Sequence, residues 1–166
     1  NTASLTDGFW INEFELLDGA ADAIKKINAS GYLAIVITNQ PVIARGEVSF
    51  EELERIHNKM ETLLGKKGAY LDAIYFCPHH PHKGYEGERP ELKFDCDCRK
   101  PKPGMLLKAA QDFNIDLAQS WMIGDGENDI RAGQNAGCQT AFIGNESYGQ
   151  TVTVSSLKNF VEQHLN

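Results

Sequence analysis

Helix-like and strand-like segments alternate along this chain of 166 residues, and that alternation limits the folds it can adopt. Tyr32 to Thr38 is a nearly continuous apolar run, which is typical of a strand buried on both faces of a parallel sheet. Asp18 to Asn28, just before it, repeats apolar residues at helical spacing and ends near Gly31. Further strands are predicted at residues 73–77, 120–124 and 138–143, and further helices after Ser49, Pro103, Gly126 and Ser155. The pattern predicts an α/β fold of the Rossmann-like kind, with a parallel sheet flanked by helices.

Composition narrows the class of protein further. Apolar residues make up 42% of the chain and charged residues 23%, which fits one globular domain over residues 1–166. The formal net charge of -7 argues against nucleic acid as a partner. No apolar run is long enough for a membrane helix, so we expect no membrane association. We expect a cytoplasmic monomer.

Polar and charged side chains follow three of the predicted elements. Thr38 to Gln40 ends one strand, Gly124 to Asp129 ends another, and Arg99 to Gly104 precedes a helix. In open parallel sheets, ligands bind at the carboxyl ends of the strands. A hydroxyl, a lysine and a carboxylate cluster gathered there would suit a phosphoryl group and Mg²⁺. Each segment taken alone also fits an ordinary turn.

Three of the four cysteines and several histidines lie in or directly beside a long Pro- and Gly-rich stretch, residues 78–102. A loop of this length is rare in a compact domain unless something holds it in place. Two close pairs of ligands, one around Cys77 and the other at Cys96 and Cys98, predict a closed structural zinc site over residues 77–98. The alternative is free thiols and solvated histidines, and His79, His80 and His82 compete for the histidine position. The pattern favours a metal in a reducing compartment over disulfides.

The three polar segments together resemble motifs II, III and IV of the haloacid dehalogenase (HAD) superfamily. The resemblance is strongest to the heptose bisphosphate phosphatases and the related histidinol-phosphate phosphatases. It extends to Phe14–Gly19, Ile43–Gly46 and Cys77–Pro81, and so over nearly the whole chain.

The resemblance implies a role for each motif residue. Thr38 would bind the transferring phosphoryl group with Asn39 beside it, and Lys100 would neutralise developing charge. Asp125 would bind Mg²⁺, and Asp129 would support that site. The residues implied to grip the rest of the substrate are Arg45 and Arg99. The zinc ligands implied are Cys77, His79, Cys96 and Cys98.

The activity implied is a Mg²⁺-dependent phosphatase for a small sugar phosphate, D-glycero-D-manno-heptose 1,7-bisphosphate, acting through an aspartyl-phosphate. Alternatives are a phosphatase for histidinol phosphate, another small phosphomonoester or a nucleic-acid 3′-phosphate. A catalytically inactive zinc module of the same fold is a third alternative. The chain has no room for a large cap domain, and fusion to a nucleotidyltransferase, or action with one, remains open.

The nucleophile of this superfamily lies in an Asp-x-Asp-Gly-Thr motif at the end of a first, central strand. Thr6 to Gly8 does not match that motif, and we interpret it as a turn. We therefore expect the central strand and the motif to lie upstream of Asn1. Either the chain is part of an active protein or it is an inactive truncation, and without the nucleophile the chain should not turn over.

Overall fold

The computed structural model describes residues 20–39, 49–78, 91–92 and 96–165 with their side chains, and residues 8–12 and 90 by their backbone. Within these residues, six parallel strands form one sheet. The strands are β1 (Gly8–Asn12), β2 (Leu33–Asn39), β3 (Ala73–Cys77), β4 (Trp121–Gly124), β5 (Gln139–Ile143) and β6 (Val152–Val154). Their order is β3-β2-β1-β4-β5-β6, which confirms the predicted parallel α/β sheet.

Helices cover both faces of this sheet. They are α1 (Ala20–Ala29), α2 (Phe50–Gly65), α3 (Gly104–Phe113), α4 (Glu127–Ala136) and α5 (Leu157–His164). One apolar cluster joins the sheet to α1, α5 and the end of α2, and a second joins it to α3 and α4. In the part of the chain that the structure describes, no helix is both long and apolar enough to cross a membrane.

β2 shows why its nearly continuous apolar run forms a central strand. Ala34, Ile35, Val36 and Ile37 are all fully buried. Ala34 packs in the α1 and α5 layer, whereas Ile35 and Ile37 pack in the α3 and α4 layer, because successive side chains of a strand point to opposite faces. An apolar residue is therefore needed at every position rather than at every second one.

The helix boundaries follow capping chemistry. The Ser49 hydroxyl accepts a hydrogen bond from Glu52 N at 3.1 Å, which confirms the predicted start of α2. The predicted N-cap of α5, Ser155, was wrong by one residue. The N-cap is Ser156, whose hydroxyl accepts a hydrogen bond from Asn159 N at 2.9 Å. Two adjacent serines carry the same capping chemistry, so the sequence could not separate them.

In the described part of the chain, β1 lies at the centre of the sheet, and the predicted strand with an Asp-x-Asp-Gly-Thr motif upstream of Asn1 stays a prediction. β1 occupies the centre, with Phe9 in register with Ala34 of β2 on one side and Trp121 of β4 on the other. β1 is only five residues long, so its pairing with β2 and β4 decides its place. The three-residue β6, which pairs with β5, was also missed. The residues that follow β1 are Glu13 to Leu16, so no Asp-x-Asp motif stands at the end of this central strand.

Phe160 of α5 tests the larger apolar cluster. It is fully buried, and its ring centroid lies 4.9 Å from that of Trp121. Phe160→Ala should lower the free energy of unfolding by about 3–5 kcal/mol, because it removes this contact and leaves a cavity. Urea unfolding measures the change, with the exposed Lys158→Ala of the same helix as control. A loss no larger than that of the control would contradict the packing described.

Candidate active site and sulfur cluster

The carboxyl ends of β2 and β4 lie on either side of β1 at one edge of the sheet. β2 ends with Thr38 and Asn39, and β4 ends with Gly124, directly before Asp125. The strands are parallel, so these residues emerge at the same edge. Thr38 is buried, whereas Asp125 is exposed. The edge therefore combines a sheltered hydroxyl with an accessible carboxylate.

Lys100 reaches this edge because the side chain of Asn39 holds its backbone. Asn39 Oδ1 accepts a hydrogen bond from Lys100 N at 3.0 Å, and Asn39 Nδ2 donates to Lys100 O at 3.3 Å. The amide thus binds one peptide donor and one peptide acceptor of the same residue, as a neighbouring strand would. This double contact fixes the loop that carries Lys100 to the end of β2.

The ammonium of Lys100 is paired with Asp129 inside the protein. Lys100 Nζ lies 2.5 Å from Asp129 Oδ1, and the two side chains are only 7% and 3% exposed. The other carboxylate oxygen, Asp129 Oδ2, accepts from Gly126 N at 3.1 Å and so closes the first turn of α4. Both Asp129 oxygens therefore have partners, which a buried carboxylate requires.

Gly124 leaves space for that carboxylate. A Cβ atom at position 124 would collide with Asp129 Oδ2, so a side chain here would displace Asp129. The Gly-Asp-Gly sequence at the end of β4 thus permits a close approach as well as a turn. It leaves Asp125 exposed beside the N-terminus of α4, where the helix dipole favours a negative charge.

A series of contacts links these residues: Asn39 binds Lys100, Lys100 binds Asp129, and Asp129 binds the backbone beside Asp125. The structure therefore brings together Thr38, Asn39, Lys100, Asp125 and Asp129. What each does in a reaction stays a prediction.

The two predicted substrate-binding arginines have different outcomes. Arg99 precedes Lys100 and is half-buried, and its Nη1 is buried without a hydrogen-bond partner in the described structure. A buried donor without a partner is unusual in a folded protein and fits a group that meets a ligand. Arg45 lies outside the described residues.

Three of the four predicted zinc ligands converge. The Sγ atoms of Cys77, Cys96 and Cys98 all lie within 4.8 Å of one another. His79 lies outside the described residues. Cys138 is separate from this cluster: burial raises the pKa of its thiol to about 12, so it stays protonated at neutral pH.

The three sulfur atoms fit two arrangements, a disulfide between two of them or one metal ion bound by all three. Cys77 and Cys98 are joined as a disulfide in the structure, with Cα atoms 5.6 Å apart. A disulfide does not account for Cys96 Sγ, which lies 3.2 Å from the sulfur of Cys77 and 3.3 Å from that of Cys98. One metal ion bound by all three sulfurs does account for it, and three thiolates suit zinc.

The sulfur cluster and Lys100 share one short loop. Cys77 of β3 is in register with Asn39 of β2, the residue that binds Lys100. On the other side, Gly104 N donates to Asp97 O at 3.0 Å, and a Cβ atom at position 104 would collide with that same carbonyl. The start of α3 is therefore pressed against the Cys96–Cys98 turn.

Sequence reasoning missed three supports of this loop. Besides Gly104, they are Lys102, whose Nζ donates to Cys96 O at 2.7 Å, and Asn135, whose Nδ2 donates to Pro101 O at 3.0 Å. The Pro103-Gly104 pair at the start of α3 was a visible sign that Gly104 has a structural role. Nothing in the spacing of Lys102 or Asn135 indicated their partners.

Comparison with known proteins agrees with this geometry. A HAD-hydrolase-like family model matches residues 97–161. The D-glycero-beta-D-manno-heptose-1,7-bisphosphate 7-phosphatase of Pasteurella multocida is 44% identical over 126 residues, which cover 76% of this chain and 66% of that protein. The D-glycero-alpha-D-manno-heptose-1,7-bisphosphate 7-phosphatase of Burkholderia mallei is 42% identical over 135 residues, 81% of this chain and 69% of that one. The chain thus spans about two thirds of the length of these curated relatives.

A solved structure gives the same result for the fold. The crystal structure of D,D-heptose 1,7-bisphosphate phosphatase from B. bronchiseptica, complexed with magnesium and phosphate, matches with a TM-score of 0.80 at 26% identity. The match covers 95% of this chain and 97% of that one. The sequence identities and the shared fold lead to one assignment. The chain belongs to the D-glycero-D-manno-heptose-1,7-bisphosphate 7-phosphatase family of HAD-like hydrolases.

Proposed function

We propose that the intact protein is a Mg²⁺-dependent phosphatase that removes the 7-phosphate from D-glycero-D-manno-heptose 1,7-bisphosphate. One observation carries the proposal: the Lys100 ammonium is held at the carboxyl edge of the sheet, between the ends of β2 and β4. A cation fixed in a water-poor position stabilises charge that develops on a phosphoryl group. Relatives named for both the beta and the alpha bisphosphate are similar to this chain, so the anomer is left open.

Each residue at the edge has a role in this reaction. Thr38 donates its hydroxyl hydrogen to a phosphoryl oxygen, and Lys100 neutralises the charge on the phosphoryl group and its nucleophile. Asn39 acts through Lys100, because both ends of its amide bind the Lys100 backbone. The nucleophile is the first aspartate of an Asp-x-Asp motif, which attacks phosphorus while the bond from phosphorus to the sugar oxygen breaks, and the second aspartate protonates that oxygen. Water then hydrolyses the aspartyl-phosphate to inorganic phosphate and the free aspartate.

The carboxylates at the edge fit Mg²⁺ to different degrees. Asp125 offers an exposed oxygen donor of the kind Mg²⁺ prefers. Asp129 is bound to Lys100 and Gly126 N, so we propose that it supports the site by orienting Lys100. Among the described residues no third carboxylate converges with these two. When bound, Mg²⁺ would neutralise phosphoryl charge and orient the phosphate.

The remaining proposed roles are binding of the substrate by arginines and ordering of the loop by zinc. Arg99, with its buried Nη1, and Arg45 bind the part of the sugar phosphate that does not react. Zinc held by Cys77, Cys96, Cys98 and His79 orders the loop that presents Arg99 and Lys100, and takes no part in the chemistry. Thiolates available for zinc suit a reducing compartment, so we propose a cytoplasmic location.

Phosphate release from a panel of substrates tests the proposed activity. The intact protein with Mg²⁺ should release one phosphate from heptose 1,7-bisphosphate, and should act poorly on histidinol phosphate and on a 3′-phosphorylated oligonucleotide. Residues 1–166 alone should release none, because they contain no Asp-x-Asp-Gly-Thr motif. If the intact protein is inert toward the whole panel, the result contradicts the proposed phosphatase and favours the catalytically inactive zinc module.

Lys100→Met tests the role of the ammonium. We expect kcat to fall about 10²–10³-fold, since removal of one group that stabilises transition-state charge has an effect of this size. Stability should fall by about 3–5 kcal/mol as well, because Asp129 is left buried and unpaired. Steady-state kinetics and urea unfolding measure the two effects.

A double variant separates the two effects of Lys100→Met. Adding Asp129→Asn removes the unpaired charge, so it should restore much of the stability but none of the rate. The exposed Lys108→Met changes the charge equally without touching the site and should leave kcat unchanged. Recovery of kcat in the double variant would show that Lys100 matters only for folding.

Cys96→Ser distinguishes the metal from the disulfide. If one zinc ion is bound by the three cysteines, the substitution should lower zinc content and melting temperature together. Each kcal/mol lost corresponds to about 2–4 °C in a chain of this size. Cys138→Ala, outside the cluster, should keep its zinc. Unchanged zinc content in Cys96→Ser, or an intact Cys77–Cys98 disulfide without zinc in the wild-type protein, would refute the metal site.

A further inference from the structure

We propose that Lys102 is a positioning residue for the sulfur cluster, whose positive charge offsets the negative charge of the metal-bound thiolates. This inference rests on the metal-binding role proposed above for the cluster. Lys102 Nζ donates to the carbonyl oxygen of Cys96 at 2.7 Å, and Lys102 is itself half-buried. Its side chain therefore turns back along the loop to meet the backbone of a proposed metal ligand.

The contact brings the ammonium close to the sulfurs. Four covalent bonds join the Cys96 carbonyl oxygen to Cys96 Sγ, so ordinary bond lengths and angles place Lys102 Nζ within about 8 Å of that sulfur. The sulfurs of Cys77 and Cys98 lie 3.2 and 3.3 Å from the sulfur of Cys96. The cation therefore lies within about 11 Å of all three sulfurs, a range at which charges still interact where burial excludes much of the water.

A metal site built from three thiolates keeps a negative charge that a nearby cation would offset. Three thiolates carry three negative charges and a divalent metal carries two positive charges, so with a neutral fourth ligand the site keeps one negative charge. Cys77 is fully buried and Cys96 is 7% exposed, so water compensates that charge poorly. The exposed Asp97 between Cys96 and Cys98 adds a further negative charge.

Among the described cations of this loop, Lys102 donates to the backbone of a cysteine of the cluster. Lys100 pairs instead with Asp129, on the side of β4 and α4. Lys102 N also donates to Arg99 O at 2.8 Å, so the backbone of the same residue closes the turn that contains Lys100. Lys102 therefore connects the sulfur cluster to the segment that presents Lys100.

The test is metal affinity in the intact protein, measured by competition with a chromophoric zinc chelator. Lys102→Gln keeps a donor but removes the charge, and Lys102→Met removes both. We expect both to bind zinc about 10-fold more weakly, the lower end of what loss of an outer-shell partner costs. Lys102→Arg, which keeps the charge, should retain most of the affinity. Lys108→Met, the same loss of charge on α3 away from the cluster, should match the wild type.

Every outcome decides the proposal. Wild-type affinity in Lys102→Gln would overturn it, and so would a loss in Lys102→Arg as large as in Lys102→Gln, because shape rather than charge would then be responsible. Should Lys102→Met fail to fold, the comparison of Gln with Arg still decides. Absence of stoichiometric zinc from the wild-type protein would also overturn it. The readout does not use turnover, so failure of the proposed phosphatase activity would be seen separately.

Discussion

The Lys100 ammonium is buried against the Asp129 carboxylate while Asn39 holds the Lys100 backbone, and the geometry of the carboxyl edge follows from this arrangement. A buried charge is costly unless it is paired and hydrogen-bonded, so the pair forms only when several elements are in place together. β2 supplies Asn39, the start of α4 supplies Asp129, and Gly124 leaves the space for the Asp129 carboxylate. A cation held by this many parts of the fold stays at one position.

The sulfur cluster has the corresponding role for the loop itself. The segment between β3 and α3 has few apolar residues to bury, so packing alone would leave it poorly ordered. Cross-linking through Cys77, Cys96 and Cys98 compensates, because it ties the loop to the end of β3 and to the turn before α3. A metal bound by these cysteines would be linked to the placement of Lys100 through a few residues of backbone.

Much of the fold and part of the site could be predicted from local pattern. The apolar run of β2, the Ser49 cap and the strand that ends at Gly124 each follow from rules that act within a few residues. Thr38 and Asp125 were identified because a strand ends at them. β1 could not be identified in this way, since its central position depends on pairing with β2 and β4 rather than on its own five residues. The partners of Asn39, Asp129 and Lys102 lie three to 61 residues away, and no periodicity encodes them.

By itself the sequence determined the alternation of helices and strands, the types of side chain at the strand ends and the set of candidate sulfur ligands. These depend on residue type and short spacing, which a linear chain displays directly. Only the tertiary structure decided that Asn39 binds the Lys100 backbone, that Asp129 is bound to Lys100, and that Lys102 turns back to Cys96. Such contacts arise when distant segments compete for the same buried polar groups, and only the assembled fold resolves that competition.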